Sequence, residues 1–134
     1  MDVELMLWPV IVQVFLTIAV FILLGIRKLK SVKAGTVDLK KTALDNSAWP
    51  DEVRKVSNNI QNQFQLPVIF YVLVFAFILV KTESVFVLVM AWVFVISRLF
   101  HAYIHVGSNY VLNRSRAFFV GCACLIIMSA LLAI

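Results

Sequence analysis

Charged side chains are scarce in this 134-residue chain: they make up 14% of it against 63% apolar residues, with a mean hydropathy of +0.99. Soluble domains carry about 25% charged and 45–50% apolar residues. A water-soluble globule is therefore excluded, because too little polar surface exists to cover one. Carboxylates are scarcer still, seven in all, and none lies within a long apolar run. A small proton-coupled exporter would need such an embedded acid to carry its proton, so that class fits poorly. Four glycines, three prolines and no repetitive tract leave no room for a long disordered arm. The only cysteines, Cys122 and Cys124, stand two apart in an apolar stretch, where a helix points them about 200° apart. They cannot bridge one another, and they carry no information about redox compartment.

What is present is apolar sequence in lengths that suit a bilayer. A helix needs about 20 mostly apolar residues to cross the roughly 30 Å hydrocarbon layer. Four stretches qualify, approximately 5–26, 58–80, 85–106 and 115–134, with a cytoplasmic loop over 27–57. The first reads as a span and not a cleaved leader, because Asp2 and Glu4 stand where a leader is basic. The second contains an uninterrupted run, Leu66 to Val80, that is too short to cross alone. It must recruit the amide-rich segment Asn58 to Gln65, which lipid rejects unless it faces protein or trapped water. These features predict an all-α protein, a single integral membrane four-helix bundle.

Basic residues in short loops favour the cytoplasmic side. Eight Lys and Arg fall between Arg27 and Lys55, and Arg114 and Arg116 lie at the same end, whereas Asp2, Glu4 and Glu83 face a single Lys81 at the other. Both termini are thus expected on the non-cytoplasmic side of a multi-pass protein, in the inner membrane if the host is bacterial. The net charge of +5 is a topology signal, and no nucleic-acid role is supported beyond it.

Chemistry concentrates in the second and third spans. On a helix, Arg98, His101 and His105 share an arc of about 60°, and Lys55, Asn59, Asn62 and Gln63 share one of about 100°. The turn Lys81–Ser84 is short enough to make the two spans antiparallel neighbours, so the stripes should meet in a polar cavity at the basic end. Pro67 cannot donate to the carbonyl of Gln63 and should leave that acceptor free. Intramembrane amides and histidines commonly do no more than bind helices together, at about 0.6 kcal/mol per bond. Arg98 is harder to explain that way, since a midplane arginine costs at least about 2.5 kcal/mol and the spans offer it no carboxylate. A positive cavity without protein anions suits an anionic ligand, gripped by the planar guanidinium fork. A metal fits poorly, because His101 and His105 lack a third ligand and Arg98 would repel a cation. Haem normally takes histidines from facing helices, and both stand on one.

The string Arg98-x-x-His101-x-x-x-His105, followed by Arg114-Ser115-x-x-Phe118, together with the basic first loop and Pro67 after a polar start to the second span, resembles the MAPEG family. These are the membrane-associated proteins in eicosanoid and glutathione metabolism, and the resemblance covers essentially the whole chain. It implies a homotrimer that holds glutathione between neighbouring subunits near the cytoplasmic face and acts on a lipophilic small molecule or lipid from the bilayer. By the same resemblance Arg114 and Ser115 would be catalytic, stabilising the glutathione thiolate. Arg27, Asn59, Asn62, Gln63, Arg98, His101, His105 and Phe118 would bind or position the peptide. The sequence departs from the family pattern in two places. His105 and Phe118 replace tyrosines of one branch, and the second span lacks the family's glutamate. The activity implied is that of a glutathione transferase or peroxidase. The alternative is a non-catalytic lipid-binding or partner-binding scaffold of the same fold.

Overall fold

A bilayer offers no water to unpaired backbone groups, so spanning segments must close their hydrogen bonds internally. In the computed structural model, which describes residues 2–134, the chain does this entirely with helices. They are α1 (Val3–Lys33), a one-turn α2 (Leu39–Thr42), α3 (Asp51–Gln63), α4 (Leu66–Leu79), α5 (Val85–Val106) and α6 (Val111–Ala133). A short 3₁₀ turn, Asn46–Ala48, follows α2. Four segments are long and apolar enough to cross a membrane: α1, α3 with α4, α5, and α6.

The third span has the bounds expected from sequence; the others run further. The first helix continues seven residues beyond Ile26, because Arg27–Lys33 contain no Pro or Gly and a helix need not stop where the hydrocarbon does. It ends where Gly35 takes a left-handed φ of 70°. The Gly35 N–H then bonds the Val32 carbonyl and the Thr36 N–H the Ser31 carbonyl, the paired closure that only a left-handed residue permits. The fourth helix starts at Val111, four residues ahead of the expected boundary.

The second span is two helices rather than one. Pro67 has no N–H and its ring would strike the carbonyl four residues back, so the chain breaks at Phe64 and Gln65 and restarts with the proline in the first turn of α4. Upstream, α3 begins seven residues earlier than expected, with Asp51 and Glu52 in a first turn where the helix dipole favours negative charge.

Packing divides the bundle by polarity. Around α4 the interior is apolar: Phe70 stacks on Phe94 with centroids 4.5 Å apart, among Met6, Val74, Ala91 and Met128. Around α3 it is polar, and this half lies against α1 and α5. Lipid tails are as apolar as these side chains, so helix association rests on close fit rather than on water exclusion. Gly121 supplies that fit between α5 and α6. A Cβ there would stand 3.3 Å from Ser97 Oγ and 3.4 Å from Phe94 Cε2. Gly121→Val should therefore cost about 1–3 kcal/mol by overpacking, read as earlier loss of helical circular dichroism on heating in detergent. Unchanged stability would show that the two helices do not meet closely at this point.

Candidate functional site

The polar half is built in layers. Deepest is a ladder of buried amides. Gln13 Nε2 of α1 donates to Gln63 Oε1 at 3.1 Å, Gln63 Nε2 donates to Asn59 Oδ1 at 3.0 Å, and Asn59 Nδ2 donates to the Ala102 carbonyl of α5 at 3.3 Å. The hydroxyl of Thr17 also lies 3.1 Å from Gln63 Oε1. Three spans are thus tied at one depth by neutral groups that bond one another, with only Gln13 Oε1 left without a partner among the described residues, which is what makes amides tolerable there. Gln13 and Thr17 interrupt the apolar run of the first span and were not singled out from its sequence. Their spacing of four, one helical turn, was the available signal that they share a face.

Next to the ladder sits Arg98, 0% exposed. Its Nη2 donates to the Asn62 carbonyl at 3.2 Å. That carbonyl lies in the last turn of α3, where the break before Pro67 ends the normal helical bonding. Pro67 has no N–H to give the Gln63 carbonyl, whereas the carbonyl that Arg98 uses is that of Asn62, which also accepts the Gln65 N–H at 3.3 Å. The Nε and Nη1 of Arg98 have no partner among the described residues. A buried guanidinium with two idle donors and no carboxylate is an uncompensated charge, and it marks the place where an anion would gain most.

Outermost is a cavity of about 260 Å³ between α3, α5 and α6. It brings together six of the residues singled out from sequence, Asn62, His101, His105, Arg114, Ser115 and Phe118, and adds Gln65 and Phe119. The histidines stand one turn apart on α5, with ring centroids separated by 5.5 Å, and Phe118 lies 6.1 Å from His101. Asn62 Nδ2 lies 3.4 Å from His105 Nε2, while Nδ1 of both histidines is unpartnered. Gln65 enters only because the helix break turns it toward α6, which no helical wheel through an unbroken span would give.

Arg114 is placed by the loop before it. Asn109 adopts a left-handed φ of 54°, a conformation asparagine tolerates, and its Oδ1 accepts from Arg114 Nη1 at 2.6 Å. The partner is neutral, so the position of the guanidinium is fixed and its charge is not cancelled. Because α6 starts at Val111, the Arg114 N–H is already bonded to the Tyr110 carbonyl. The Arg114 backbone N–H is therefore not free for a ligand. Here Arg114 and Ser115 offer a guanidinium and a hydroxyl, and that hydroxyl has no partner among the described residues.

The remaining residues lie outside the cavity of this chain. Asn59 and Gln63 belong to the amide ladder. Arg27 is a clamp at the basic end, where its Nη1 donates to the carbonyls of Glu52 and Val106 at 2.9 and 3.0 Å, with the Glu52 carboxylate 3.6 Å away. Lys55 completes that end by donating to Glu52 and to the Gly107 carbonyl. No carboxylate lines the cavity. His101 and His105 have no third His, Cys, Asp or Glu beside them among the described residues.

Four spans, an amide-bonded interior and a cavity between the third and fourth spans lined by Arg114, His101 and His105 define a multi-pass integral membrane protein with a positively charged pocket. The MAPEG family model matches residues 5–134, and the chain belongs to that family. No curated protein and no solved structure matches it.

The charge at Arg98 yields a prediction of opposite sign to the usual one for a buried residue. Arg98→Met keeps much of the volume and removes a burial cost of about 2.5–3.5 kcal/mol, so the ligand-free protein should melt at a higher temperature. A lower melting temperature would mean that the guanidinium already has a counter-charge.

Proposed function

We propose that this protein binds glutathione in the cavity between α3, α5 and α6 and uses it as a transferase or peroxidase toward lipophilic substrates from the bilayer. One observation carries the reading: Arg114, Ser115, His101 and His105 converge on one cavity, with the unpaired Arg98 behind it and no carboxylate on its wall. Glutathione bears two carboxylates, and idle guanidinium and imidazole donors suit them. Members of the family generally use glutathione, which favours it over other anionic thiols.

Bound there, glutathione would supply a thiolate, the nucleophilic form of a thiol. The chain's own part is electrostatic and geometric. Arg114, fixed by Asn109, sets positive charge at the cavity wall, and the free Ser115 hydroxyl is available to donate to a sulfur anion. Phe118 and Phe119 keep that wall dry, which strengthens both interactions. Ligand sites usually enclose about 300–1,000 Å³, and this cavity falls just below that range at about 260 Å³. A homotrimer, in which a neighbouring subunit completes the site, accounts for the shortfall.

A second reading, a non-catalytic scaffold of the same fold, draws on two observations. Phe118 has no hydroxyl, and Gln63 is neutral and fully engaged with Gln13, Thr17 and Asn59.

Titrating glutathione into the protein in nanodiscs, with heat and thiolate absorbance recorded together, separates the readings. The expected result is binding with a thiolate band, and Arg114→Ala should lose the band and any turnover while keeping its helical circular dichroism. Binding without thiolate in the unaltered protein, or none at millimolar glutathione, favours the scaffold. A thiolate band that persists in Arg114→Ala removes Arg114 from the chemistry.

A further inference from the structure

A second cavity is larger than the one just described. It is a groove of about 390 Å³ on the opposite face of the α5–α6 pair. Its apolar lining comes from Val93, Ile96 and Phe100 on α5 and from Ala117 and Val120 on α6. Ser97, the one polar residue of its floor, has its hydroxyl spent on the Phe94 carbonyl at 2.6 Å. Along α5 the groove runs from Val93 to Ile104, which at 1.5 Å per residue is about 16 Å, half the thickness of a roughly 30 Å hydrocarbon layer. Its length is that of one leaflet.

The two ends differ. At the Val93 end the lining is apolar; at the Ile104 end stand Arg116 and Asn113. Both side chains are exposed and neither has a partner among the described residues. The α6 terminus adjoins them, and Tyr110 gives it no side-chain cap, so the first-turn N–H groups add partial positive charge there. Arg27, Lys55 and Arg114 gather at the same end of the bundle, the end that the charge rule assigns to the leaflet rich in anionic lipid.

We infer that the α5–α6 groove is a binding site for an anionic phospholipid, with one acyl chain lying along Val93–Phe100 and the headgroup phosphate on Arg116 and Asn113. The apolar floor has nothing to offer a polar ligand, and the unpaired cation at its interfacial end gains more from a headgroup of net negative charge than from a zwitterionic one, whose ammonium offsets its phosphate. The helix α6 separates this site from the cavity holding Arg114 and Ser115, so the inference does not depend on glutathione binding.

The test is native mass spectrometry of protein released from nanodiscs made of equal parts phosphatidylglycerol and phosphatidylcholine. The protein should retain phosphatidylglycerol preferentially. Arg116→Gln should reduce that preference about fivefold, the worth of one interfacial charge. Arg54→Gln, which removes an exposed arginine beside Asp51 away from the groove, should leave the preference intact. Ala117→Phe fills the groove and should lower retention further; if that variant misfolds, Arg116→Gln with Asn113→Ala carries the same comparison at exposed positions. Equal retention by the unaltered and Arg116→Gln proteins overturns the inference, as does an equal loss in Arg54→Gln. Retention of added oleate in place of phospholipid overturns it in favour of a free fatty acid. Efficient disulfide cross-linking of Phe100→Cys protein to a second copy overturns it by showing the groove covered by protein.

Discussion

Pro67 sets the arrangement on which the inner half of this bundle depends. A proline within a span must cost the helix a hydrogen bond, and in lipid a lost bond has to be replaced from within the protein. Beside the break, Arg98 donates to the Asn62 carbonyl at the end of α3, which also accepts the Gln65 N–H. That bond draws a guanidinium into a place where no carboxylate answers it. The break also swings Gln65 toward α6 and lets α3 lie against α1 and α5 with its amides inward. One imino acid therefore links the backbone geometry of the second span to the electrostatics of the cavity beside the third.

The neutral ladder and the charged cavity answer different problems. Gln13, Gln63 and Asn59 satisfy one another almost completely, and such groups hold helices in register without attracting a ligand. Arg98, His101, His105 and Arg114 are under-satisfied in the same small volume. Neutral donors are closed off and charged donors left open.

Much of this was legible in the sequence, because lipid enforces simple rules. Span number follows from apolar length, and α5 has its expected bounds because Ser84 caps one end and Gly107 stops the other. The convergence of Asn62, His101, His105, Arg114, Ser115 and Phe118 was readable from helical spacing and two strings of motif. The membership in the MAPEG family, now plain over residues 5–134, was carried by those same strings. What could not be read lay where periodicity fails. A helical wheel assumes a continuous helix, so it missed Gln65 beyond the break and the bond from Arg98 to the Asn62 carbonyl. Apolar length marks where lipid ends rather than where a helix ends, so α1 and α6 overran their expected limits. Arg27 carried the right charge at the right end of the first helix, but its hydrogen bonds go to main-chain carbonyls, which no side-chain pattern reports.

The burial of Arg98 has a further consequence, for the influence of salt. A charge on a protein surface is veiled by mobile ions within about 8 Å at physiological ionic strength. Ions do not enter the interior of a helix bundle in a bilayer, so the field of Arg98 reaches the cavity almost undiminished in dilute and concentrated electrolyte alike. Arg116, at the interface, lies within reach of the ionic atmosphere. The two faces of the α5–α6 pair thus carry positive charge of two kinds, one nearly indifferent to the surrounding medium and one that varies with it.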